Sequence, residues 1–420
     1  MTPEPGETSQ GPTRDPSPAE VHHADGYALN GGRFTIPNPP VYRTSTVLFD
    51  SVAHLVQVHR DQAADRGGSM YATFGTPTTA ALDRVLLSRE GGAGVVYAPS
   101  GLGAVSLALL SLLRPGDHLL MVDSSYGPTR GLCDGILRRM GVETEYYDPL
   151  VGAGIGSLIR PGTRAIFLES PGSFTFEVQD VPAIVAAARE AELSRGSPLF
   201  TVIDNAWGSP GLLSPLAMGV DVSIVPLTKY WGGHADFVLG AVVGNARTWR
   251  MVRGTAHDLG LCAPADDAAL ALRGARSVDV RLARHAESAL AVAQWLARHP
   301  RVGAVLHPAL PGSPGHALWQ RDFRGSNGLL SFELLTALGA PASADDAAVV
   351  ADRLVRGGRF GLGYSWGGYE SLVMPAVLPG GATHVPRRVR PWRGGTLLRL
   401  HIGLEPVGDL LAELEGALAR

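Results

Sequence analysis

Lysine is all but missing from this chain of 420 residues: Lys229 is the only one. Of the 36 lysines and arginines together, every other one is arginine. Cysteine is nearly as scarce. Cys133 and Cys262 stand alone and far apart, which excludes a disulfide framework or a cysteine-based zinc site and fits a reducing, cytoplasmic setting. Long hydrophobic runs are absent too. The longest, Ala104 to Leu113, is interrupted by Ser106 and Ser111 and stops at Arg114-Pro115-Gly116, well short of the ~20 residues a membrane span needs. No basic-then-apolar stretch opens the chain, so a secretory signal is not expected. A formal net charge of −3 gives no electrostatic footprint for nucleic acid or an anionic membrane. The scattered histidines lack metal-ligand spacing, so no metal is expected, and His234 in Gly232-Gly233-His234-Ala235-Asp236 reads as structural.

What remains is an ordinary globular composition, 45% hydrophobic and 18% charged. At this length two domains and a short arm are expected. Residues 1–22, rich in Pro, Glu, Ser, Thr and Gly, have little to bury and read as a disordered tail. From Gly94 onward short apolar runs alternate with helical stretches. Strands are expected at Gly94–Ala98, His118–Val122, Val142–Tyr147, Arg164–Leu168, Leu199–Ile203, Val220–Val225 and Val238–Val243. Helices fall at Gly101–Leu113, Thr129–Met140 and Val181–Glu192. That alternation predicts an α/β fold, a mostly parallel sheet flanked by helices, with ligands beyond the carboxyl ends of the strands. Ala268–Arg298 has helical periodicity, followed by a smaller α+β region with strands at Gly328–Leu334 and Gly395–His401 and a closing helix at Val407–Ala419.

A chain that uses arginine everywhere else keeps lysine where arginine cannot serve. Charge and salt bridging are within arginine's reach; losing a proton is not. A buried lysine can act as a nucleophile or a base, and Lys229 reads as a Schiff-base former. Asp204 follows the strand Leu199–Ile203, where a lone aspartate is more often a helix cap or a turn residue. Twenty-five residues on comes Pro226-Leu227-Thr228-Lys229-Tyr230-Trp231-Gly232-Gly233. A strand-end acid, a second apolar strand, then Thr-Lys and paired glycines is the layout of pyridoxal 5'-phosphate (PLP) enzymes, in which the acid meets the pyridine nitrogen and the lysine the aldehyde.

Longer motifs make the likeness specific: Glu169-Ser170-Pro171-Gly172-Ser173, Asp221-Val222-Ser223-Ile224, His307-Pro308-Ala309-Leu310-Pro311-Gly312-Ser313, Tyr364-Ser365-Trp366-Gly367-Gly368-Tyr369-Glu370-Ser371 and Arg399-Leu400-His401-Ile402-Gly403-Leu404-Glu405. From about residue 25 to the end, the chain resembles the PLP-dependent enzymes of cysteine and methionine metabolism (the trans-sulfuration family), and within them the bacterial cystathionine β-lyases. The resemblance implies PLP-dependent fold type I, aspartate-aminotransferase-like. It divides the chain into an arm at 23–75 that contributes to a neighbour's site, a PLP-binding domain at 76–270 and a C-terminal domain at 271–420. It implies Lys229 as catalytic lysine and Asp204 as partner of the pyridine nitrogen. The amides of Gly101 and Leu102 and the Thr228 hydroxyl would hold the phosphate, with Tyr126 stacked on the ring and able to carry a proton. Tyr71 would reach the phosphate of a neighbouring subunit in a homotetramer, a dimer of dimers. Arg399 would bind the substrate carboxylate, with Ser365 and Trp366 lining the pocket.

Three positions depart from that pattern. Thr73 stands where the family usually has an arginine that helps Tyr71 hold the phosphate, with Arg43 or Arg66 as possible substitutes. Ala206 replaces a common threonine, and His257 aligns loosely with a tyrosine of the β-lyase pocket. These changes read either as compensated drift or as a pocket reshaped for a different substrate. The expected reaction is α,β-elimination on a cystathionine-like amino acid, releasing thiol, pyruvate and ammonia. The alternative is γ-elimination or γ-replacement on an activated homoserine or a sulfonium of the S-adenosylmethionine type. A non-catalytic protein that kept the fold and an aminotransferase are weaker readings.

Overall fold

The computed structural model describes residues 27–29, 32–34 and 38–419; the tail expected at 1–22 lies outside them. The described residues divide into two units, one up to Pro40 and one from Val41 onward. The first contains an antiparallel hairpin, β1 (Tyr27–Leu29) with β2 (Gly32–Phe34), in which Tyr27 sits opposite Phe34. Every other element described belongs to the second unit.

A sheet of seven strands dominates it: β3 (Gly94–Ala98), β4 (His118–Val122), β5 (Glu143–Tyr147), β6 (Thr163–Glu169), β7 (Phe200–Asp204), β8 (Val222–Pro226) and β9 (Gly240–Gly244), in the order β3-β9-β8-β7-β6-β4-β5. β9 alone runs against its neighbours. The inner strands β4, β7, β8 and β9 are buried along their whole length because both faces are covered, whereas the edge strand β5 opens with the exposed or half-buried Glu143, Thr144 and Glu145. In β4, Leu119 and Met121 enter one core and Leu120 and Val122 the other, all with no exposure. Each such side chain contributes about 1.5–3 kcal/mol of burial.

The helices in this part are α1 (Val52–Ala63), α2 (Pro77–Glu90), α3 (Gly101–Leu112), α4 (Gly127–Leu132), α5 (Val181–Arg195), α6 (Trp249–Asp258), α7 (Ala265–Ala275) and α8 (Val278–Leu296). α4 begins earlier than the expected Thr129 and passes into one wide turn, Cys133–Leu137. The helical stretch expected over Ala268–Arg298 is two helices, broken at Arg276-Ser277. The first half of α8 packs into the large core through Val278 and Leu282, and its second half covers the other sheet through Val292 and Leu296.

That smaller C-terminal sheet holds β10 (Val302–Leu306), β11 (Leu329–Leu334), β12 (Phe360–Leu362), β13 (Ser371–Pro375) and β14 (Leu397–His401), ordered β10-β11-β14-β13-β12. α9 (His316–Asp322), α10 (Ala344–Gly357) and α11 (Val407–Leu418) accompany it. Ser343 caps α10 by accepting from the amide of Asp346, whose carboxylate accepts in return from the Ser343 amide. Among the described residues no helix is long and apolar enough to cross a membrane.

Candidate active site

The carboxyl ends of the parallel strands deliver the polar residues to one edge of the large sheet. β7 ends on Asp204, and its neighbour β6 ends on Glu169, paired with it in register. β8 leads directly into Thr228 and Lys229, β4 into Asp123 and then Tyr126, and β3 into Ser100 and α3. The smaller sheet supplies the opposite side: Arg399 from β14, and Ser365 and Trp366 from the loop between β12 and β13.

Lys229 is only partly exposed. Its Nζ donates to Ser365 Oγ at 2.7 Å and lies 4.9 Å from the centre of the Trp366 ring. Desolvation, with the Arg399 guanidinium adding to it and Asp204 opposing, lowers its ammonium to about 7. The amine is therefore free to a useful extent at neutral pH, as a nucleophile or base requires. The loop carrying Ser365 is pressed against the lysine backbone. Gly367 adopts φ +90°, and a Cβ there would come within 2.9 Å of the Lys229 carbonyl carbon. Ser365 itself holds φ +73°, a left-handed conformation that costs about 1–3 kcal/mol outside glycine.

Asp204 is buried and accepts the Ala206 amide at 2.9 Å. Glu169 accepts the Tyr126 amide at 2.7 Å. Burial raises both carboxyls, and the negative charge of Asp204 raises Glu169 further. Such a pair calls for a cationic partner. Tyr126 is 45% exposed; the protein around it desolvates its phenol and raises it, so the hydroxyl stays protonated at neutral pH. Arg399 donates to the Ser365 carbonyl at 3.1 Å and lies over the Phe174 ring at 4.8 Å. Burial lowers it to about 10, which leaves it charged.

At the head of α3, Ser100 Oγ accepts the Gly103 amide at 3.0 Å, while Gly101 and Leu102 supply the first two amides of the helix. A Cβ on Gly101 would sit 3.0 Å from Pro226, and one on Gly240 would sit 2.4 Å from the Ser100 carbonyl. These glycines let the helix head approach the strand that carries the lysine. Thr228 Oγ1 donates to the Leu239 carbonyl at 3.2 Å and accepts the Leu239 amide at 3.0 Å, so its proton would have to turn to serve a phosphate. The cradle, the adjacent buried acid and the low-pKa lysine together fit PLP.

Tyr71 makes none of these contacts. It is 46% exposed and pairs its backbone with Thr46. Thr73 and His257 meet elsewhere, in a groove of about 840 Å³ that none of the other site residues lines. There the His257 ring contacts Phe74 edge-on at 4.6 Å, and burial followed by Arg253 holds the imidazole below its usual range. The two arginines considered as substitutes at the phosphate are engaged already, Arg43 with Asp266 and Arg66 with Asp61. His234 bonds the Gly232 carbonyl at 2.8 Å.

Sequence reasoning missed Glu169 and Phe174 as site residues. The signal for Glu169 was present: like Asp204, it is an acid at the end of an apolar strand. Phe174 carries no such signal, because only the fold brings it under Arg399.

Residues 26–419 match the family model described as Cys/Met metabolism PLP-dependent enzyme. Among curated proteins, the chain is 45% identical over 382 residues to a putative cystathionine beta-lyase of Rhizobium johnstonii, covering 91% of each chain. It is 43% identical over 405 residues to a cystathionine beta-lyase of Escherichia coli, covering 94% of this chain and 98% of the other. Among solved structures, a cystathionine gamma synthase of Xanthomonas oryzae in complex with aminoacrylate and cysteine superposes with a TM-score of 0.82 at 30% identity, covering 97% and 98%.

Proposed function

Since the chain belongs to the PLP-dependent enzymes of cysteine and methionine metabolism, we propose that it cleaves the carbon–sulfur bond of a cystathionine-like amino acid by α,β-elimination. The thiol leaves first, and hydrolysis of the remaining three-carbon enamine by one water gives pyruvate and ammonia. The observation that carries this reading is the Lys229 amine, lowered to about 7 and held between Ser365, Trp366 and the Arg399 guanidinium.

In this reading Asp204 would face the pyridine nitrogen, Tyr126 would pack on the ring, and Gly101, Leu102 and Thr228 would hold the phosphate. PLP, when bound, supplies a sink for the electron pair released at Cα. Arg399 grips the substrate carboxylate as a planar fork, with Ser365 and Trp366 fixing the side from which the amino acid enters. The free Lys229 amine, lowered to about 7, would take the Cα proton. The departing sulfur takes a proton from Lys229 or from the Tyr126 hydroxyl, which desolvation keeps protonated. Incubating the purified holoenzyme with cystathionine tests this directly: pyruvate is expected, and 2-oxobutyrate in its place would mean γ-chemistry.

A second reading, γ-elimination or γ-replacement on an activated homoserine or sulfonium, is favoured by the likeness of the chain to a cystathionine gamma synthase, with a TM-score of 0.82 at 30% identity. A homotetramer built as a dimer of dimers is part of the proposal, with Tyr71 completing a neighbour's phosphate site. It is supported by an arm that buries little against its own chain: α1 contains no buried residue, and Leu48 is 89% exposed. A cytoplasmic location agrees with Cys133 and Cys262, both unpaired.

A further inference from the structure

The connection between β13 and β14, residues 376–396, leaves the smaller sheet and crosses to the carboxyl edge of the large one. Arginines hold it there: Arg387 against Glu177 and Thr175, Arg388 against Asp134 at 2.6 Å, and Arg390 against Asp148 at 3.3 Å. Exposed pairs such as the last two are weak. The stronger anchor is Asp123, whose side chain is fully buried. Its carboxylate accepts three successive backbone amides of the strap, Arg388 at 2.9 Å, Val389 at 2.8 Å and Arg390 at 2.9 Å. Arg130 of α4 adds a bond at 3.1 Å. Burial alone would raise this carboxyl, but the three amides and Arg130 outweigh it and hold the group below its usual range.

Two walls of the cleft hang from this one carboxylate. Three residues after Asp123 in the same short loop is Tyr126. Four residues before Arg388 on the strap, His384 stacks on Phe174, centroids 5.7 Å apart, and meets Tyr364 edge-on at 5.5 Å. Phe174 in turn lies under the Arg399 guanidinium, and Tyr364 precedes Ser365, the acceptor for Lys229.

We propose that Asp123 is a positioning residue for the reaction: by tying the strap to the loop of Tyr126, it keeps the carboxylate-binding side of the cleft in register with the ring-stacking side. The inference rests on reading the cleft as an amino-acid site. In Asp123→Asn one oxygen becomes an NH2 that faces the strap amides, so the strap loosens while Lys229, Asp204 and Arg399 are untouched. The variant holoenzyme should keep its visible cofactor band. Its KM for cystathionine should rise about tenfold or more with kcat changed by less than about threefold, since positioning of the bound carboxylate is what is lost. A non-eliminable amino acid, L-norleucine, followed through the cofactor band, should bind more weakly by the same factor. Trypsin should cut after Arg387 or Arg388 sooner than in the wild type.

Ser343→Ala, which removes the α10 cap in the smaller domain, serves as a control for destabilisation away from the cleft and should leave KM unchanged. An Asp123→Asn enzyme with wild-type KM and norleucine affinity would overturn the proposal, as would an equal KM rise in Ser343→Ala. Should Asp123→Asn fail to fold, His384→Ala tests the strap at its contact with Phe174: the same KM rise supports the proposal, and an unchanged KM overturns it. If the wild type forms neither pyruvate nor 2-oxobutyrate, the proposed function fails, while norleucine binding and proteolysis still decide the role of Asp123.

Discussion

Glu90, the last residue of α2, is 3% exposed, and its carboxyl joins two pieces of the active-site floor. It accepts from Ser209 Oγ at 2.5 Å and from Asn205 Nδ2 at 3.2 Å, the residue next to Asp204. Ser209 in turn accepts from the indole of Trp231, two residues after Lys229. Burial raises this carboxyl from 4.5 to about 7, with the Ser209 and Asn205 bonds opposing. The unfolded chain releases this proton above about pH 4.5, whereas the folded protein keeps it until about 7. Over that window the native state binds more protons, so stability falls as pH rises and levels off above 7. The drop corresponds to roughly 3 kcal/mol at 1.36 kcal/mol per pKa unit. Glu90→Gln removes the titration and disturbs one hydrogen bond, at a cost of about 1 kcal/mol. At pH 4 the variant should therefore be less stable than the wild type by about 1 kcal/mol, near pH 5 the two should be about equal, and at pH 8 the variant should be more stable by about 2 kcal/mol. Denaturant unfolding at pH 4 and pH 8, with protein and cofactor concentrations fixed, measures the difference. Parallel pH dependence in the two proteins would refute the reasoning.

Further outcomes follow from the same geometry. Gly367→Ala forces a Cβ against the Lys229 backbone at a positive φ, so melting should show a loss of about 1–3 kcal/mol, with activity falling at least tenfold. Arg399→Lys keeps the charge but loses the planar fork and the bond to the Ser365 carbonyl; KM should rise about a hundredfold, far more than kcat falls, as steady-state kinetics will read. If Tyr71 serves a neighbour's site, two inactive variants, Tyr71→Ala and Lys229→Ala, should regain activity when coexpressed, because hybrid dimers contain one intact site; no recovery would place Tyr71 in its own subunit's site.

The large sheet was legible because its strands are short, apolar and separated by amphipathic helices; β3 and β4 fall where the pattern predicts them. β9 was harder. Its expected start at Val238 is displaced because Leu239 gives its amide and carbonyl to Thr228, and no local pattern announces that the strand runs backwards. The helical stretch after Ala265 was read as one because its periodicity carries through Arg276-Ser277, where the backbone turns. α10 offered a legible cap in Ser343 and Asp346 that a periodicity reading does not use. The site was readable where chemistry is unusual for the chain, at Lys229, the single lysine, and at Asp204, an acid closing an apolar strand. It was not readable where tertiary packing does the assembling. Phe174 beneath Arg399, His384 on Phe174 and the three amides on Asp123 join residues hundreds of positions apart, and none has a local signature.

The account depends above all on the amine at position 229 carrying the cofactor. Borohydride reduction of the holoenzyme followed by peptide mapping tests this most directly. A cofactor label fixed on the peptide containing Lys229 is expected, with an inactive, unlabelled Lys229→Arg variant. A label elsewhere, no label, or a Lys229→Arg enzyme that turns over normally would contradict it.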